Sequence, residues 1–210
     1  MVGLIQLFIK DPAAFAILAI LLLYSVIFHE LAHGWMAFRM GDPTAKWLGR
    51  LTLNPIKHLD PLGTLMLFFV GFGWAKPVPV NLGNIPLRNR RKGMVLVSSA
   101  GVTANMICAF VAFLLWRVSS PEPGGMLEQI LYLFARINIV LAAFNLIPIP
   151  PLDGSKILMG FAPASVNRTL SQIEPYGFFI VIGLLLLGFL NPVVNFFQFV
   201  ILTVINVLLP

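Results

Sequence analysis

The sequence predicts an all-α polytopic membrane protein, and three observations carry that prediction. Hydrophobic residues make up 59% of the chain and charged ones only 10%, against about 25% charged in an average soluble domain. Apolar runs long enough to cross a bilayer recur along it, and Gly, Pro or Asn breaks them. No internal repeat or low-complexity linker divides the chain, so residues 1–210 read as a single integral membrane domain, with a core at about 12–160 and C-terminal helices at about 174–209. The expectation is five to six apolar helices, short extended or β segments, and a re-entrant piece near the histidines described below.

The elements follow in order. Residues 1–9 are apolar but too short to span, so an interfacial segment is expected. Asp11 is placed to cap and Pro12 to open a helix that runs to about Met40, where Gly41-Asp42-Pro43 stops it. Residues 47–54 alternate loosely and are expected to form a short strand. Residues 62–74 are apolar but short of the roughly 20 needed to cross, which points to a re-entrant piece. Residues 76–81 read as a second extended segment, confined to an edge by Pro77 and Pro79. A basic cluster, Arg88, Arg90, Arg91 and Lys92, fits anionic headgroups. Spans follow at 93–118 and from 126 or 127 to 147. Pro148, Pro150 and Pro151 then force the chain to unwind, which lipid tolerates only where protein or a wet cavity surrounds the backbone. A short helix at 155–161 follows; Glu174-Pro175 opens an apolar run to Leu190, and 193–209 is the last one.

Charge sets the expected orientation. The net charge is +6, and in a membrane chain such an excess belongs to cytoplasmic loops and not to nucleic-acid binding. If 62–74 does not cross, residues 39–92 carry nine Lys and Arg on one side, with Lys156 and Arg168 beside them, against Lys10 and Arg117 on the other. The larger group is expected in the cytoplasm. The single cysteine, Cys108, excludes an internal disulfide or a cysteine-based zinc site within the chain. The N-terminal run lacks a signal-peptide layout, since it continues straight into the histidine-bearing span.

The chemistry concentrates at His29-Glu30-Leu31-Ala32-His33. Residues i and i+4 share a helix face, so both imidazoles can reach one zinc ion, and Glu30 lies where it can take a proton from water at that ion. A carboxylate inside an apolar span is expensive without a partner or a task. The third ligand is open on spacing alone. Asp153, on the proline-locked segment, is a candidate for it or for capping the helix that follows; His58 lies on the same side in a polar loop, where contact with a substrate is the alternative. Asn105 follows Gly101 at a spacing that lets helices approach closely, and either packing or a place near the site explains it.

Three patterns occur in order: H-E-x-x-H, then Gly101-x-x-x-Asn105, then Asn145-x-x-Pro148 leading to Leu152-Asp153-Gly154. Together they resemble the site-2 protease family of intramembrane zinc metalloproteases, and the run 49–55 followed by His58 resembles its compact bacterial branch. The resemblance covers about residues 25–156. It implies hydrolysis of peptide bonds in transmembrane or membrane-associated polypeptides, within or near a bacterial cell membrane; a membrane metal-binding transporter or a non-catalytic scaffold is the alternative that ionisable groups in a span also fit. It implies one zinc held by His29, His33 and Asp153, with Glu30 as the base and Asn145 near the reacting group. Asn105, His58 and Asn54 are the expected substrate contacts. PDZ or nucleotide-binding modules carried by other members are not found in these residues; the loop at 119–125 is too short for one.

Overall fold

The computed structural model describes residues 4–70 and 73–210. Ten α-helices are described: α1 (Leu4–Lys10), α2 (Pro12–Arg39), α3 (Thr44–Trp47), α4 (Pro61–Val70), α5 (Arg90–Ser119), α6 (Met126–Asn145), α7 (Asp153–Phe161), α8 (Ala164–Ile173), α9 (Gly177–Leu186) and α10 (Asn191–Leu208). Five helical stretches are long and apolar enough to cross a membrane: Pro12–Arg39, Leu87–Ser119, Met126–Asn145, Ala164–Leu186 and Asn191–Leu208. The protein is an all-α integral membrane protein.

The start of α2 is as the sequence predicts. Pro12 opens it, and the Asp11 side chain accepts from the Ala14 amide at 2.9 Å, satisfying one of the donors that a helix start leaves free. Central to the bundle is α5, packed against α2, α6, α7 and α10. Where α5, α6 and α10 meet, the core holds Ala109, Ala142 and Ala143 with Ile139, Ile201 and Ile205; small side chains let the helix axes close up where no hydrophobic effect drives them together.

Several expectations change. Among the described residues there is no strand. Residues 47–54 are not a strand: α3 ends at Trp47, and the chain bends on to a 3-10 turn at Pro55–Lys57 that Asn54 caps. Residues 73–80, the place of the second expected extended segment, form no helix and pair in no ladder; Pro77 and Pro79 have no N–H to give to one. The apolar stretch at 62–74 forms α4, ten residues long and capped by Asp60 through the Gly63 amide at 2.8 Å, too short to cross; residues 71 and 72 of that stretch lie outside the described ones. Residues 164–173, to which the sequence pattern assigns no element, form α8. Glu174-Pro175 therefore does not open a helix but sits in a 3-10 turn that carries α8 into α9. Proline fits there because the first turn of a helix needs no N–H from it. Part of the basic cluster, Arg90 to Lys92, forms the first turn of α5.

Candidate metal centre

His29 and His33 lie one turn apart on α2, and Asp153 is the first residue of α7. All three are buried, at most 9% exposed. His29 Nε2 and His33 Nε2 are 3.0 Å apart, and each lies 3.1 Å from Asp153 Oδ2. Leu152 is the N-cap of α7, and among the described residues no α7 amide donates to the Asp153 side chain, so capping does not account for it. An acidic residue in the first helical turn is still favoured by the helix dipole. α5 comes close enough because residue 101 is glycine: a Cβ there would run into both imidazole rings.

Which ring atoms carry protons follows from their partners. His29 Nδ1 lies 2.6 Å from Asn105 Oδ1. Asn105 must present its oxygen there, because its amide nitrogen donates to Asn138 Oδ1 at 2.7 Å and to the Ser25 carbonyl at 3.2 Å. His33 Nδ1 lies 2.7 Å from the Val97 carbonyl. Both Nδ1 atoms are therefore the N–H donors, and in neutral rings both Nε2 atoms turn lone pairs inward. Asp153 Oδ2, buried and without a hydrogen-bond donor among the described residues, faces those same lone pairs. Three electron-pair donors converging in a buried space repel one another unless a cation sits among them. Their separations come within a few tenths of an ångström of the about 3.3 Å between tetrahedral ligands at about 2.0 Å from a zinc ion. The donor set thus fits zinc.

Glu30, beside His29 and half-buried, accepts the Val78 backbone N–H through Oε2 at 2.7 Å. The other expected site residues take different places. Asn145, the last residue of α6, donates to the Leu141 carbonyl at 2.9 Å and makes no hydrogen bond to the three ligands among the described residues. Asn105 is fully buried behind His29, with both ends of its amide bonded to protein, so it is not open to a substrate. His58 is also fully buried; its Nε2–H donates to the Thr52 carbonyl at 2.8 Å, and it is not in the cluster. Asn54 is exposed, and its side-chain oxygen accepts from the Ile56 amide at 3.0 Å.

Sequence reasoning missed Ser25 and Asn138. Asn138 Nδ2 donates to Ser25 Oγ at 2.9 Å, and both residues are fully buried. A signal existed: Ser25, His29 and His33 fall on one helix face, and Asn138 is an amide inside an apolar span. The Val97 carbonyl and the Val78 N–H are backbone groups and left no trace in residue identity.

The fold and this centre define an integral membrane protein with a buried site fit for a metal ion, and comparison with known proteins carries that further. Residues 122–188 match the family model described as Peptidase family M50. The chain is 44% identical over 174 residues to YwhC of Bacillus subtilis (strain 168), a protein named as a zinc metalloprotease; the match covers 80% of this chain and 78% of that one. It is 30% identical over 174 residues to Rip2 of Mycolicibacterium smegmatis, also named as a zinc metalloprotease, over 80% of this chain and 66% of the relative. MJ0611 of Methanocaldococcus jannaschii, likewise named, matches at 32% over 63% of each chain. No solved structure matches this chain at a significant level. The chain belongs to peptidase family M50, the site-2 protease family, and its metal is zinc.

Proposed function

We propose that this protein cleaves peptide bonds of transmembrane or membrane-associated polypeptides within or beside the bilayer, as one catalytic domain. His29, His33 and Asp153 hold the zinc; the observation that carries the reading is the convergence of two imidazole lone pairs and an undonated carboxylate oxygen on one buried point. When bound, zinc acts as a Lewis acid on the scissile carbonyl and lowers the pKa of the attacking water. Glu30 takes the proton from that water and hands it to the leaving amine. Its hydrogen bond from Val78 leaves one carboxylate oxygen for that transfer. Asn145 is assigned a place near the reacting carbonyl; its Nδ2 donates one hydrogen to the Leu141 carbonyl and has a second to offer. An apolar cavity of about 220 Å³, lined by Leu18, Leu22 and Val26 of α2 with Leu67, Trp74 and Leu141, includes Val26, one turn before His29 along α2, and suits an apolar substrate segment.

Glu30→Gln is expected to keep zinc and abolish cleavage of a membrane peptide. Metal analysis finding that variant empty contradicts the role of base. The excess of Lys and Arg in the basic loops supports an orientation with the site towards the cytoplasm of a bacterial cell membrane. Cysteine introduced at exposed Lys57 or Arg90, in a Cys108→Ala background, is therefore expected to resist membrane-impermeant thiol reagents in intact cells. Ready labelling at either site inverts the orientation.

A further inference from the structure

We propose that Arg50 is a positioning residue for Glu30, acting at a distance through the backbone of residues 76–78. The inference rests on Glu30 being the base. Arg50 is an unusual cation: it is 8% exposed, its Nε has no hydrogen-bond partner, and it forms no ion pair among the described residues. Burying a guanidinium without a carboxylate is expensive. Its contact is through Nη2, which donates to the Lys76 backbone carbonyl at 2.8 Å. The other side of that residue is held too, since the Lys76 N–H donates to the His58 carbonyl at 2.8 Å. His58 is fixed in turn by its bond to the Thr52 carbonyl. Lys76 is thus clamped at both of its backbone polar groups.

Two residues further on, the Val78 N–H reaches Glu30 Oε2. Only one residue separates the two, so fixing the backbone of residue 76 restricts where the N–H of residue 78 can point. Pro77 lies between them and Pro79 after them, and each locks its own φ, leaving fewer dihedrals through which the aim could drift. The segment also rests on α2 next to the base. Residue 34, one turn past Glu30, is glycine; a Cβ there would come within 2.9 Å of Val78 Cγ1 and 2.6 Å of Leu51 Cδ2. The Arg50 guanidinium, the Lys76 peptide and the Val78 N–H therefore form one rigid line that ends on the carboxylate. By holding Oε2, that line sets the rotamer in which Glu30 waits for its proton.

The test is a double-mutant cycle on the full-length zinc-loaded protein, read by the affinity of a peptide hydroxamate, a zinc ligand whose hydroxyl proton passes to the base. Zinc content is measured alongside. Arg50→Ala is expected to weaken hydroxamate binding by about tenfold with Glu30 present and by less than about twofold in the Glu30→Gln background, the size of coupling seen between residues of one network. Zinc content stays unchanged, kcat falls while KM holds, and Arg50→Lys, which can still donate to the Lys76 carbonyl, recovers part of the loss. Val78→Pro removes the last donor of the line without touching Arg50; it should give the same pattern and serves if Arg50→Ala does not fold. Equal losses in both backgrounds, or full affinity in Arg50→Ala, overturn the proposal. If Glu30→Gln alone neither weakens the hydroxamate nor abolishes cleavage, the assignment of the base fails, and the inference with it.

Discussion

His29 and Glu30 are neighbours on α2, yet they are held from opposite sides by different materials. Behind His29 stands a chain of side chains wholly inside the bundle: Asn105 from α5, Asn138 from α6 and Ser25 from α2. Behind Glu30 stands a loop, and what touches the carboxylate is a backbone N–H. A metal ligand needs a fixed tautomer and ring angle, which buried side-chain partners on rigid helices supply. A base must exchange a proton with water and substrate, so it lies where the bundle opens to a loop. Variants on the first side are thus expected to change how tightly zinc is held, and variants on the second to change how fast the chemistry runs.

The largest expected effect is at the ligands. Asp153→Ala should lower zinc affinity by more than about 100-fold, beyond what loss of an outer partner causes. His58→Ala should leave zinc in place, because His58 is not in the cluster, even though it disturbs the loop. Zinc retained without Asp153 and lost without His58 would undo the ligand set.

Next come the partners of His29. Asn105→Leu removes the acceptor of the Nδ1 proton, and competition with a chelator should show zinc held about 10–100-fold more weakly. Asn138→Leu removes a group one bond further away and should cost less. If both variants bind zinc as the wild type does and lose only turnover, the division between the two sides of α2 is wrong.

The sequence made the cluster legible because spacing alone puts His29 and His33 on one face, and because an aspartate held by three prolines at membrane depth is costly unless it binds something. The family pattern resolved Asp153 from His58, which spacing could not. Gly101 and Asn105 were visible as a pair, but only the packing of α5 against α2 shows that the glycine clears both rings and that the asparagine turns its oxygen to His29. The strand expected at 47–54 failed because alternation over a few residues cannot tell a ladder from a bent loop whose polar groups are met by Thr52, Asn54 and His58. What holds Glu30 stayed invisible because every residue but proline has a backbone N–H, and nothing in valine marks which one will be aimed at a carboxylate.

The smallest expected effect concerns how the loop side is anchored, and Asp42 decides it. Asp42 follows α2 and is fully buried. Its Oδ1 accepts from the Thr44 amide, the Thr44 hydroxyl and Asn84 Nδ2, and its Oδ2 from the Asn81 amide at 2.6 Å. One carboxylate thereby ties the end of α2 to the far end of the segment that reaches Glu30. Burial pushes its carboxyl pKa up, but the hydrogen bonds from Thr44, Asn84 and Asn81 outweigh that and hold it below the usual value. A carboxyl with a lowered folded-state pKa contributes stability that is complete above its unfolded pKa of about 3.9 and is lost as pH falls through the folded value. Protection of the Asn81 and Thr44 amides in hydrogen exchange should therefore hold from neutral pH down to about 4 and decline below that. Asp42→Asn puts an amide in place of the charge and can accept through one oxygen only, so one of these amides loses its partner. That variant should show weaker protection at neutral pH and little further change on acidification. Protection that falls just as steeply with acid in Asp42→Asn as in the wild type would mean that another group anchors the loop.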